Sequence, residues 1–192
     1  MKVLRLSTGI AMVCLSVCGI AHGIRAATAQ VLYFQARHGR DKESGGRILT
    51  HSRKAHKLYP YNYNVCAIAA DTAFSNSRKA SVENATRKLV TQSVHWCNLG
   101  LNLNFYDRRL RLTKTILLSD KEETKDKAIR FWEEYTDWNY WNPHNHCVLA
   151  LMYALRGDFQ KAESAASLIK GSEYFPIARR IILAEKERRQ TE

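Results

Sequence analysis

The residues best equipped for chemistry in this chain are histidines, cysteines and tryptophans gathered in a few short stretches. His144, His146 and Cys147 lie together, and His95 with Cys97 forms a second set. Imidazole and thiolate are ligands for zinc, but neither spacing matches a finger or a metalloprotease helix. The expectation is therefore of packed side chains and no metal. Glu133 and Glu134 adjoin, and neighbouring positions on a helix point apart, which excludes a paired-carboxylate acid–base site. No Ser/His/Asp order, glycine-rich phosphate loop or Walker-type run occurs in the 192 residues. The sequence predicts no catalytic residue and no cofactor.

Binding is better represented. Between positions 131 and 141 stand Phe131, Trp132, Tyr135, Trp138, Tyr140 and Trp141. Rings at this density either fill the space between helices or present a surface for a peptide or a sugar; the first reading is the simpler. The chain carries 30 basic and 18 acidic residues, a formal charge of +12, which predicts anionic neighbours. The basic residues are dispersed over several segments, among them Arg108-Arg109-Arg111-Lys114, and do not form the interleaved aromatic and basic face of a nucleic-acid binder. Anionic lipid beside a membrane segment accounts for them more economically.

The elements that must position these residues are helical. Apolar residues are 45% of the chain and prolines number three, so a packed core is expected. Spacings of three and four recur through Ile48, Ser52, Ala55 and Tyr59, through Ala128, Trp132, Tyr135 and Trp138, and through Phe159, Ala162, Ala166 and Ile169. Breakers at 39–46, Pro60, Asn76-Ser77, 98–100, Asn142-Pro143, Gly157-Asp158 and 171–176 divide the chain into about seven helices after the amino-terminal segment. Asp120 and Glu123 have capping-box spacing. Leu99, Leu101, Leu103 and Phe105 alternate with period two, which predicts a short extended piece.

The amino terminus reads as a targeting or membrane segment. Lys2 and Arg5 precede an uncharged run over 6–24, broken by His22 near its end. That pattern fits an export signal, with small-residue cleavage sites at Ala21-His22-Gly23 and Ala27-Thr28-Ala29. It equally fits an uncleaved anchor, since about twenty apolar residues cross a bilayer as helix. The helix-friendly continuation through Ala29, Val31, Leu32 and Phe34 favours the anchor. Segment 1–29 is thus expected to be a signal-anchor or signal peptide and 30–192 a helical domain. A single-pass protein of a bacterial inner membrane is the first localisation expected, a secreted or periplasmic one the alternative. Flanking basic residues do not settle which side holds the domain. Cys66, Cys97 and Cys147, odd in number and beside apolar residues, predict buried free thiols and no disulfide framework.

A repeat is visible. Segment 60–70 can be laid on 143–153, matching Pro, Asn, Val and Ala at 60/143, 62/145, 65/148 and 67/150, and a proline returns at 176. A period of 33 or 34 residues is that of a helical hairpin repeat. Leu149-Ala150, Tyr153, Gly157-Asp158-Phe159 and Ala162 resemble the core pattern of the tetratricopeptide repeat (TPR). Ala150 and Ala162 are small where two helices cross, Leu149 and Tyr153 fill the adjoining space, Gly157 frees the turn and Asp158 caps the next helix. The sequence departs from the pattern at His146, Ala166 and Ile169, and 98–142 does not fit it. The resemblance implies an all-α, irregular stack of TPR-like hairpins behind an N-terminal hydrophobic helix, serving as a protein-interaction scaffold without catalysis.

An apolar helix followed by irregular repeats also resembles the carboxyl-terminal end of bacterial surface-polysaccharide polymerases and O-antigen ligases. That resemblance implies an accessory or fragment of such a protein, with glycan or lipid as ligand. A basic anion- or nucleic-acid-binding module is the remaining alternative. For a protein or peptide partner, the expected contact residues are Asn62, Tyr63, Arg108, Arg109, Trp141 and Asn145, at the starts of inner helices and beside the aromatic cluster.

Overall fold

The structure, a computed structural model, describes residues 2–39 and 44–191, with side chains from Gly9 onward. The side chains of Lys2 and Arg5, and residues 40–43 within the breaker at 39–46, lie outside the described residues. The described residues form nine α-helices and one 3-10 turn, with no strand among them. Eight α-helices follow the amino-terminal one, where the sequence predicts about seven. The chain divides into two compact units, residues 1–105 and 106–192.

In the first unit α1 (Lys2–His38) pairs with α2 (Gly45–Leu58), and α3 (Tyr63–Lys79) with α4 (Glu83–Leu103). Helix α1 changes character along its length. Ile10, Met12, Val13, Leu15, Val17, Ile20 and Ile24 are all exposed, an apolar surface on every side. From Ala29 onward one stripe, Ala29, Tyr33 and Ala36, is buried, and Tyr33 and Ala36 pack with Ile48 and Ala55 of α2 and Val65 and Ile68 of α3. The i, i+4, i+7 spacing of those three places them on one face. Ser16 and Thr28 donate their hydroxyls to the carbonyls of Met12 and Ile24, 2.9 and 2.8 Å away, so the helix satisfies its own polar side chains.

Helices α3 and α4 approach closely because their interface is built of small residues: Cys66, Ala69, Ala70 and Ala73 on one, Ser93, Cys97 and Gly100 on the other. Ser93 Oγ donates to Ala70 O at 2.9 Å across the contact. Helix α3 runs through Asn76-Ser77 and α4 through 98–100 to Leu103, so neither expected breaker interrupts its helix and the extended piece expected at 99–105 does not form. The buried face of α4 is Ser93, Trp96, Cys97, Gly100 and Leu101, a helical stripe in which serine and glycine take apolar places.

In the second unit α5 (Arg108–Ser119) and α6 (Lys125–Trp138) form one hairpin and α7 (Pro143–Arg156) and α8 (Phe159–Ser167) another, with α9 (Tyr174–Gln190) packed on α7 and α8. The segment that does not fit the repeat is thus itself a hairpin. The expected capping box is not made: Asp120 ends α5 in helical conformation and the 3-10 turn Glu122–Thr124 intervenes. The α7–α8 turn follows the TPR expectation closely. Gly157 has φ +89°, its N–H and that of Asp158 cap the α7 carbonyls of Ala154 and Tyr153, and the Asp158 carboxylate accepts from Lys161 N at 3.1 Å. Ala150 and Ala162 are fully buried at the crossing.

The caps also revise the internal alignment. Asn62 accepts from Asn64 N at the start of α3, and Asn142 accepts from His144 N at the start of α7, both at 3.1 Å. Asn62 therefore corresponds to Asn142, not Asn145, and the echo shifts by three residues, nearly one helical turn. In this register Ala70 meets Ala150, and both are fully buried.

Candidate functional site

The aromatic cluster of 131–141 divides in two. Trp132, fully buried, and Tyr135 belong to the core of the second unit, where Trp132 Nε1–H donates to Asn145 O at 3.1 Å. Trp138, Tyr140 and Trp141 are exposed, Trp141 at 89%. Trp138 stacks on Tyr106 at 4.1 Å, and Tyr140 stands edge-on to Trp141 at 6.0 Å. Trp132 and Tyr135 thus fill the core, as the simpler reading expects, while Trp138, Tyr140 and Trp141 lie at the surface. The end of α6 separates them: Trp138 is its last residue, stacked on Tyr135 at 6.0 Å at the edge of the core, and Tyr140 and Trp141 lie in the turn beyond it.

Beside those exposed rings a groove of about 400 Å³ runs between α6, α7 and α8. Leu149, Ala165 and Leu168 supply its apolar lining, Tyr140 stands on its rim, and Glu133, Asp137 and Lys161 bring charge. Tyr153 crosses the floor and donates its hydroxyl to Glu133. Burial, reinforced by the Glu133 carboxylate, pushes the Tyr153 phenol well above the ordinary tyrosine range, so it stays a protonated donor. Lys161 Nζ lies 5.5 Å from the centre of the Tyr153 ring. A second groove of about 360 Å³ adjoins, sharing Glu133, Tyr153 and Lys161 and adding Arg156 and Asp126, which are 3.0 Å apart.

The groove wall is held from behind by polar groups inside the fold. His146 is buried, with Nε2 2.7 Å from Tyr140 O; the carbonyl can only accept, so Nε2 carries the proton. Its ring lies edge-on to Tyr140 at 4.8 Å, which fixes the rim residue. Arg111 is also buried, donating to Phe131 O at 2.9 Å, pairing with Glu134 at 3.5 Å and lying 4.3 Å from the Phe131 ring centre. This cation is structural, and its spacing among other basic residues carried no sign of that.

The expected contact residues are placed as follows. Asn62 is the N-cap of α3 and Tyr63 its first residue, both half-buried, in the first unit. Arg108 and Arg109 are exposed at the start of α5, and Trp141 is exposed, in the second. Arg108 is near enough to His144 to lower its pKa, an effect second to burial. Asn145 is fully buried and gives its amide to Asn139 O at 3.0 Å. It braces the turn that carries Tyr140 and Trp141, and does not itself line a surface. Of the repeat-core set, Leu149, Ala150 and Ala162 are buried, and Tyr153 and Gly157 half-buried. No spacing in the sequence pointed to Leu168, Glu133 or Asp137 as groove residues; that α6 and α8 flank one groove emerges only from the packing of both on α7. Cys66, Cys97 and Cys147 are buried free thiols, as expected.

No family model matches the chain and no curated protein does. Among solved structures it is similar to a thermophilic TPR protein of Thermus thermophilus, with a TM-score of 0.65 and 13% identity over 93% of this chain and 95% of that one. Helical hairpins, buried small-residue crossings, the capped Gly157 turn and this likeness define an all-α, TPR-like helical-repeat protein with a long apolar helix at its amino terminus. A likeness at this identity is one of fold.

Proposed function

We propose that the chain is a membrane-associated, non-catalytic interaction module that holds a protein segment in the groove between α6, α7 and α8. The observation that carries this reading is the groove itself, apolar along Leu149, Ala165 and Leu168, with the exposed ring of Tyr140 at its edge and that of Trp141 edge-on to Tyr140. Tyr and Trp side chains are enriched among the residues that carry most of the energy of protein recognition. An apolar side chain of the partner fits the lining, and a basic group beside it fits Glu133 and Asp137. Arg108, Arg109 and Trp141 extend the surface for acidic flanks; Asn62 and Tyr63 are candidates for a separate contact on the first unit.

The membrane half of the proposal rests on α1. Residues Gly9–His38 include a stretch apolar enough to span a bilayer, and none of that stretch is covered by protein. A secretory signal passes the same test of composition. What favours the anchor is the direct continuation of that stretch into the buried stripe Ala29, Tyr33 and Ala36, which makes one helix of membrane segment and domain. Residues 1–29 then hold the chain to a membrane of the cell envelope and 30–192 form the repeat domain.

The test is peptide-display panning against the full chain held in lipid nanodiscs. Enriched sequences should pair a large apolar residue with Lys or Arg, and Leu168→Glu should abolish their binding while leaving the helical spectrum intact. Enrichment without that pattern, or binding indifferent to Leu168→Glu, would overturn the groove as the site.

A further inference from the structure

The end of the first unit where α2 turns into α3 carries a second set of features that the groove does not use. His22 of α1 stands against Tyr59 at 6.0 Å, and Tyr59 stands against Tyr61 at 5.6 Å. Tyr61 is 68% exposed at the tip of the turn. Helices α3 and α4 are antiparallel, with Ser93 bonded to Ala70. From Ser93, α4 runs ten residues on to the exposed Leu103, towards the end of the pair at which α3 begins. Tyr59, Tyr61 and Leu103 thus lie at one end of the unit, with Tyr59 against His22.

The position of His22 has a meaning along α1. The uncharged run 6–24 makes roughly 28 Å of helix at 1.5 Å per residue, close to the thickness of a bilayer's hydrocarbon core. His22 lies near the end of that run, where hydrocarbon gives way to headgroups, and Arg25 is the first charge beyond it. Exposed Lys54 and Lys57, in the last turns of α2, are within the same headgroup depth. Amphipathic tyrosine rings with lysines just outside them are the composition of a membrane–water interface.

We propose that the α2–α3 turn is a second membrane contact: Tyr59, Tyr61 and Leu103 rest in the interfacial layer, and Arg25, Lys54 and Lys57 face anionic lipid headgroups. The inference rests on the reading of α1 as an anchor and adds that the first unit sits directly on the bilayer. The occupant is lipid rather than a second copy of the chain, because the patch continues the exposed apolar surface of α1 and is ringed by cations.

The test uses the full chain in nanodiscs of mixed zwitterionic and anionic lipid. An environment-sensitive fluorescent amino acid replaces Tyr61, Leu103, or, as control, Ser81, which is exposed in the α3–α4 turn at the other end of the unit. A nitroxide on the lipid near the headgroup should quench positions 61 and 103 several-fold more than 81, and aqueous iodide should do the reverse. Lys54→Glu with Lys57→Glu should weaken the lipid quenching at 61 when anionic lipid is present. If 61 is quenched by iodide as strongly as 81 while the chain still resists carbonate extraction, the turn contact is wrong and the anchor stands. If the chain leaves the bilayer under carbonate, both fall. Shielding of 61 from both quenchers would mean that protein covers the patch, which also overturns the proposal.

Discussion

Trp132 and Trp141 stand nine residues apart and are assigned opposite roles, which substitution can separate. Trp132 is fully buried, donates its indole N–H to Asn145 O and lies 5.2 Å from the Tyr135 ring. Trp132→Phe removes that donor, a loss of about 1 kcal/mol, and leaves a small void beside Tyr135 that adds roughly 1 kcal/mol more. For a unit the size of residues 106–192, each 1 kcal/mol shifts the midpoint by about 4–8 °C, so a fall of roughly 8–16 °C is expected. Trp132→Ala should cost about 3–5 kcal/mol, enough to unfold much of the unit. Trp141→Ala removes a ring that is 89% exposed, and such changes stay within about 0.5 kcal/mol. The assay is thermal unfolding followed by circular dichroism, on the full chain in nanodiscs, with peptide binding measured on the same samples. Trp141→Ala should lose binding with its midpoint unchanged. Equal midpoints for Trp132→Phe and the parent, or a large fall for Trp141→Ala, would refute the division of the cluster.

Three further outcomes follow from particular groups. Gly157→Ala forces a Cβ onto a backbone at φ +89° and against the Arg189 guanidinium, which donates to Leu155 O at 2.8 Å; a loss of about 1–2 kcal/mol in urea unfolding is expected, and none would contradict the capped turn. His56 is held below the ordinary histidine value of 6.5 by burial and then by His95, and His144 by burial and then by Arg108. The unfolded chain therefore binds protons that the folded one refuses, so stability should fall as pH drops through 6.5 and level off below the depressed folded values. His144→Gln should flatten that slope, as pH-dependent unfolding would report. Burial raises the Cys66 thiol to about 11, so Cys66, with buried Cys97 and Cys147, should resist alkylation at pH 8 until the fold is opened by denaturant, as mass spectrometry of labelled peptides can read.

The carboxyl-terminal hairpin was legible because its signals are local. Gly157 and Asp158 mark a turn by their own chemistry, and alanines at 150 and 162 mark a crossing by size alone. The stretch before it was not, since α4 buries Ser93 and Gly100 in places where a hydrophobic pattern expects bulk. With those omitted, the alternation of Leu99, Leu101 and Leu103 looked extended. Asn145 looked like a contact residue because it stands at the start of an inner helix; the carbonyl of Asn139 that takes its amide N–H inside the fold belongs to a turn whose path no spacing rule supplies. The groove was hidden for a related reason. Glu133 and Leu168 lie far apart in sequence, and what unites them is the packing of α6 and α8 against α7.

Membrane anchoring of the repeat domain requires that α1 remain one helix from bilayer to core. Membrane fractionation of the full chain with a carbonate wash, followed by amino-terminal sequencing of the recovered protein, tests this directly. The expected result is a carbonate-resistant chain that retains residues 6–24 ahead of Ala29. A soluble protein whose amino terminus is Ile24 or Gln30 would contradict it, leaving the repeat domain without its membrane.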